Sequence, residues 1–204
     1  MTAIVDYGAG NTKSVTNLLD RLGQEYVLTA DENEIREADR LILPGVGHAA
    51  SAMDSLEKSG LIPTLKSYQK PFLGICLGMQ LMYDFSEEGD VVCLGIIPGI
   101  VKKFESDGHH KVPHMGWNTI QTDAKNPLFQ DIPNHSYVYF VHSYYAAISK
   151  ETIASCDYIF PFSAAVQYRN FFAVQFHPEK SGEVGQKMME DFLKLSPLLK
   201  EQTI

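Results

Sequence analysis

The chain has 204 residues, 45% hydrophobic and 21% charged, enough for one domain with a sizeable core and too apolar for a disordered chain. Seventeen Lys and Arg stand against 25 Asp and Glu, a net charge of −8, so there is no general field for phosphate backbones or anionic membranes, and neither nucleic acid nor membrane is an expected partner. No apolar run approaches a membrane span, and the N-terminus lacks the basic and apolar regions of a signal peptide. Cys76, Cys93 and Cys156 lie far apart, which argues against a disulfide framework or structural zinc and for a reducing, cytoplasmic setting.

No internal repeat or linker is visible, so residues 1–204 read as one domain. Ala3–Tyr7 is a short apolar strand that stops at Gly8-Ala9-Gly10. Val15, Leu18, Leu19 and Leu22 share one helical face, which Asn11 or Thr12 can cap and Gly23 can end. Tyr26–Thr29 and Leu41–Leu43 read as strands, the second closing at Pro44. Ala49–Ser59 and Pro63–Tyr68 read as helices. Phe72–Ile75 is a buried strand running straight into Cys76, and Met79–Phe85 reads as the helix after it. Strands alternating with helices predict a mostly parallel central sheet with helices on both faces.

The second half changes character. Ile96–Phe104, Trp117–Gln121, Tyr137–Ile148, Ala164–Tyr168 and Phe171–Phe176 are rich in β-branched and aromatic residues and predict antiparallel strands added to the same core. Arg169-Asn170 sits between two of these runs and predicts a hairpin. Gly182–Leu193 is the closing helix, with Val184, Met188, Met189, Phe192 and Leu193 facing inward.

Gly8-Ala9-Gly10 follows a strand, but the third glycine of a dinucleotide fingerprint is absent and no Walker A glycine precedes Lys13-Ser14. A tight turn is the simpler reading. Gly74-Ile75-Cys76-Leu77-Gly78 is more specific: it has the form of a nucleophile elbow, with Cys as the nucleophile, between a strand and a helix. A sharp turn lifts the thiol out of the sheet, and a helix N-terminus favours thiolate. His177-Pro178-Glu179 closes the last strand. A His there can activate the thiol, and the carboxylate can fix its tautomer. Pro44-Gly45-Val46-Gly47 falls beside the elbow if the strands are parallel neighbours, where a backbone N–H and that of Leu77 can stabilise an oxyanion. His109, His110, His114 and His135 lack ligand spacing and read as solvated loop histidines, so no metal is expected. Trp117, in the turn-like Gly116-Trp117-Asn118, suits either core or an interface anchor.

Gly74–Gly78 followed by Gln80, together with His177-Pro178-Glu179, resembles the class I (triad) glutamine amidotransferases. Pro44–Gly47, Pro113–Asn118, Phe140–Tyr144 and His177–Ser181 resemble more narrowly the glutaminase-subunit family of imidazole glycerol phosphate synthases, and the likeness spans essentially the whole chain. The resemblance implies a flavodoxin-like amidotransferase fold, no cofactor, and glutamine as substrate. Cys76 would attack the side-chain amide, His177 would carry the proton, and Glu179 would orient His177. Val46 and Leu77 would form the oxyanion hole, while Gly47, Gln80, Ser143 and Tyr144 would hold the substrate. Ammonia would pass to a separate (β/α)8-barrel synthase that makes imidazole glycerol phosphate and an aminoimidazole carboxamide ribotide in histidine biosynthesis. Trp117, Asn118, Tyr139 and Lys180 would lie at that heterodimer interface. Val46 stands where sister families carry Gly, so the hole is expected to be incomplete until the partner docks, with Val46→Gly raising the basal rate. Alternatives are an anthranilate- or aminodeoxychorismate-type glutaminase, a stand-alone cysteine hydrolase that needs no partner, and a binding module indifferent to Cys76.

Overall fold

A computed structural model describes residues 1–8 and 10–197; Ala9 of the first turn and residues 198–204 lie outside it. The chain opens with β1 (Thr2–Val5), α1 (Thr12–Arg21), β2 (Tyr26–Thr29), α2 (Glu32–Glu37), β3 (Arg40–Gly45), α3 (Ala49–Ser59) and α4 (Ile62–Ser67). It continues through β4 (Phe72–Cys76), α5 (Leu77–Leu81), β5 (Tyr83–Ser86), β6 (Val91–Val92), β7 (Ile97–Lys103), β8 (His114–Thr122), β9 (Ser136–His142) and β10 (Tyr144–Ala146). It closes with β11 (Thr152–Asp157), β12 (Pro161–Tyr168), β13 (Phe171–Val174) and α6 (Gly182–Lys194).

Nine strands form one sheet in the order β2-β1-β3-β4-β13-β12-β11-β8-β9. From β2 to β13 every pairing is parallel; from β13 to β9 every pairing is antiparallel. Alternate side chains of the parallel strands feed two cores. Ala3, Val5, Leu41 and Leu43 pack with α2 to α5 on one face, while Ile4, Ile42, Leu73 and Ile75 pack with α1 and α6 on the other. Burying each large aliphatic or aromatic side chain stabilises the fold by roughly 1.5–3 kcal/mol, and strands wet on neither face explain the unbroken apolar runs. The α/β architecture and the antiparallel addition are as the sequence predicts.

Several local expectations are corrected. Met79–Phe85 is not one helix: α5 ends at Leu81, and Tyr83–Ser86 is a strand pairing with β7. Its apolar spacing suits either element, and pairing within a second sheet, ordered β10-β7-β5-β6, decides for strand. Tyr137–Ile148 is likewise broken, because the backbone leaves the large sheet at Ser143 and joins the small one as β10. Gly116-Trp117-Asn118 lies inside β8 rather than in a turn. The helix α2 had no apolar stripe to announce it, since only Ile35 of it is buried; its signal is Asp31, whose carboxylate accepts from Asn33 and Glu34 N–H at 2.8 and 3.1 Å. Asn11 caps α1, and Arg169-Asn170 joins β12 to β13 as a hairpin.

Candidate active site

Strand β4 is hydrogen-bonded on both sides, with Gly45 of β3 opposite Cys76 and Val174 of β13 opposite Ile75. Held between them, the chain turns at Cys76 with φ 53° and ψ −109°, a strained conformation for a residue with a Cβ, costing on the order of 1–3 kcal/mol. Close approach requires the flanking glycine. A Cβ on Gly78 would lie 1.9 Å from the Leu43 carbonyl oxygen. The Cys76 Sγ sits 3.9 Å from the Val141 carbonyl and 3.8 Å from the Gln175 amide.

His177 follows β13 and is fixed by its backbone. Its N–H donates to the Tyr139 carbonyl at 2.9 Å, and its carbonyl accepts from the Ser181 hydroxyl at 2.6 Å. Its Nδ1 is 2.7 Å from the Glu179 Oε1 carboxylate oxygen, with both side chains buried. A carboxylate only accepts, so Nδ1 carries hydrogen. Burial pulls the imidazole pKa down, but interactions with Cys76 and Glu179 outweigh it and raise the value to about 9. Nε2 is buried and has no partner at hydrogen-bond distance among the described residues; Cys76 is nonetheless near enough to bias its titration. Burial instead pushes the thiols of Cys93 and Cys156 up, to about 11 and about 12, with Asp157 adding to the second.

Cys76 and His177 share a cleft of about 300 Å³. Val46, Gly47, Leu77, Gln80, Ser143 and Tyr144 all line it, so every residue expected at the triad, oxyanion and substrate positions converges there except Glu179, which stands behind His177. Val46 is 40% exposed at the rim. The Tyr7 hydroxyl donates to the Pro44 carbonyl at 3.0 Å and anchors the segment before it. Gln80 donates to the Tyr144 carbonyl at 3.1 Å and to Gln175 Oε1 at 2.9 Å. The sequence reading missed Glu88, Pro113, Val141 and His142 in the cleft lining. Glu88 also accepts from Ala49 N–H at 2.9 Å, capping α3.

Trp117 and Tyr139 pair across β8 and β9 at the sheet edge, with ring centroids 5.9 Å apart, and Lys180 Nζ stands 5.8 Å from the Tyr139 ring. Trp117 is 55% exposed, and Met115 and Tyr137 are exposed beside it. Asn118 differs: its amide turns inward, donating to the Asp157 carbonyl at 2.9 Å. His114 is corrected from a solvated loop to a buried strand position. His109 and His110 do lie in a loop, with Asp107 beside them, and His135 is exposed in a turn. Among the described residues no cluster of three metal-ligating side chains occurs, and no helix is long and apolar enough to cross a membrane.

The family model for glutamine amidotransferase class-I matches residues 3–195. The imidazole glycerol phosphate synthase subunit HisH of Bacteroides fragilis is 52% identical over 194 residues, covering 95% of this chain and 98% of the relative. HisH 2 of Legionella pneumophila is 46% identical over 195 residues, covering 96% and 98%. A crystal structure of a glutamine amidotransferase superposes with a TM-score of 0.74 at 15% identity, covering 96% of this chain and 99% of that one, a likeness of fold alone. The chain therefore belongs to the class I glutamine amidotransferases and, within them, to the HisH subunits of imidazole glycerol phosphate synthase.

Proposed function

We propose that this chain hydrolyses glutamine at Cys76 and hands the ammonia to a separate (β/α)8-barrel synthase subunit, serving histidine biosynthesis in the cytoplasm. The observation that carries the reading is the convergence of a strained elbow cysteine and a Glu179-bound His177 on one cleft. The raised His177 pKa makes the imidazole a base able to take the Cys76 thiol proton, leaving an imidazolium beside the attacking sulfur. The Sγ electron pair forms a bond to the glutamine amide carbon, and the carbonyl π pair moves onto oxygen. Val46 and Leu77 N–H stabilise that oxyanion. Collapse breaks the C–N bond, and His177 gives its proton to the leaving ammonia. Water then attacks the thioester, losing its proton to His177; glutamate leaves, and the thiolate–imidazolium pair is restored. Glu179 holds the imidazole through its Nδ1–H throughout.

Gly47, Gln80 and the Ser143-Tyr144 backbone bind the substrate, and Glu88 supplies a negative charge for its ammonium group. Trp117, Tyr139 and Lys180 form the partner face, with Asn118 on the same strand. Support comes from the exposed aromatic cluster and from Tyr139, whose carbonyl accepts from His177 N–H. The test is a glutaminase assay with and without the barrel subunit and its nucleotide ligand. Cys76→Ala is expected to abolish hydrolysis while the circular-dichroism spectrum stays that of the folded chain. Retained hydrolysis in that variant would overturn the assignment.

A further inference from the structure

One wall of the cleft ends a line of polar groups that runs through an aromatic core. His114 and His142 are 3% and 6% exposed. Their rings pack against Phe104, Phe140, Tyr158 and Phe162; the His114 ring stacks 3.9 Å from Tyr158 and 4.7 Å from Phe140. Unpaired imidazole nitrogens would be costly there, and all four have partners. Asn118 Nδ2 lies 3.3 Å from His114 Nε2, His114 Nδ1 lies 3.0 Å from His142 Nε2, and His142 Nδ1 lies 2.7 Å from the Tyr144 carbonyl oxygen.

The direction of every bond follows from the ends. A carbonyl only accepts, so His142 Nδ1 carries hydrogen. A neutral His142 then offers a lone pair at Nε2, so His114 Nδ1 donates to it. His114 Nε2 is left to accept from the Asn118 amide. Burial lowers the His114 and His142 pKa values to about 4 and about 3, which keeps both rings neutral. Two phenylalanines would fill the same aromatic space, but they could not hold a carbonyl.

That carbonyl sits at a structural joint. His142 ends β9 in the large sheet, Ser143 is the joint, and Tyr144 begins β10 in the small sheet. The bond from His142 to Tyr144 therefore spans the bend, and Gln80 Nε2 holds the same oxygen from the elbow side. Ser143 and Tyr144 both line the cleft. We infer that His142 and His114, ordered by Asn118, are positioning residues that set the Ser143–Tyr144 bend for glutamine binding. The inference rests on the glutaminase reading of this cleft.

Two measurements test it. Nitrogen-15 spectra of the unsubstituted chain are expected to show both rings neutral and protonated at Nδ1 at pH 7. An Nε2–H tautomer or a charged ring at either position would overturn the hydrogen-bond chain. In the assembled synthase, His142→Phe keeps an aromatic ring but loses the donor. It is expected to raise the glutamine KM about tenfold, the worth of one hydrogen bond at the upper end, with kcat changed far less. His142→Asn, whose short amide can reach the Tyr144 carbonyl, is expected to recover most of that loss, and His114→Phe to give a smaller rise. A lower melting temperature with unchanged KM in an active enzyme would overturn the positioning role alone. A wild-type complex that turns over no glutamine would instead overturn the glutaminase reading.

Discussion

The two walls of the cleft are built by different means. The Cys76 wall is backbone: parallel strands on both sides of β4, a strained turn, and glycines that leave no room for a side chain. The Tyr144 wall is side chains: aromatic packing threaded by two neutral imidazoles that hold one carbonyl. A wall made of backbone tolerates almost no change, because the only adjustment is to move strands. A wall made of side chains yields by degrees, through binding rather than through chemistry.

The largest effect is expected where the reactive groups stand. His177→Asn should lower turnover by roughly 10²–10⁴-fold, the usual worth of a general base, with glutamine KM nearly unchanged. Glu179→Gln should cost less, because it loosens the imidazole without removing the proton carrier. Steady-state kinetics on the assembled enzyme checks both, and a Glu179 variant as inactive as the His177 variant would show that the two roles are ranked wrongly.

Gly78→Ala comes next and tests the backbone wall itself. The added methyl meets the Leu43 carbonyl, and overpacking of this severity should destabilise by about 3 kcal/mol or more. Denaturant unfolding measures it. His142→Phe, by the same measurement, should cost clearly less, and equal losses would erase the distinction between the walls.

Trp117→Ala should weaken association with the barrel subunit by about 2 kcal/mol, the scale of an aromatic hot spot. Its stability alone should hardly change, since the ring is more than half exposed. Titration calorimetry with the partner decides, and unaltered affinity would move the interface elsewhere.

Effects of pH separate the walls by sign. His177 has a raised folded pKa, about 9 against 6.5 for a free imidazole. Its contribution to stability is complete below 6.5 and is lost as pH rises through 9. His114 and His142 have lowered values, about 4 and about 3. The unfolded chain binds more protons than the folded one below 6.5, so stability falls as pH drops from 6.5 toward that range. Cys76→Ala should flatten the alkaline limb of a stability–pH curve and His114→Phe the acid limb.

The same contrast explains what was legible in the sequence. The backbone wall is local: Gly74 to Gly78 are five consecutive residues, and apolar strands around them announce a covered parallel sheet. Val46 and His177 come from distant segments, yet each closes a readable strand. The other wall is non-local. His114 and His142 are 28 residues apart, and each alone resembles a surface histidine. Parity held a usable signal, since Val138, Phe140 and His142 alternate on one buried face of β9. Tyr83–Ser86 reads as helix in sequence because its partner strand, β7, lies further along the chain. Thr152–Asp157 carries a weak strand signal, because Ala154, Ser155 and Asp157 dilute Thr152 and Ile153, and it is placed by pairing with β12 and β8.

The central claim is that Cys76 alone of the three thiols is the nucleophile for glutamine. Its most direct test is peptide mass spectrometry of the assembled complex after one equivalent of a glutamine-mimicking electrophile. A single adduct on Cys76, blocked by glutamine and absent from His177→Asn over the same interval, is the predicted result. Cys93 and Cys156, whose thiols burial pushes to about 11 and about 12, should stay unmodified, and an adduct on either of them with Cys76 left free would contradict the account.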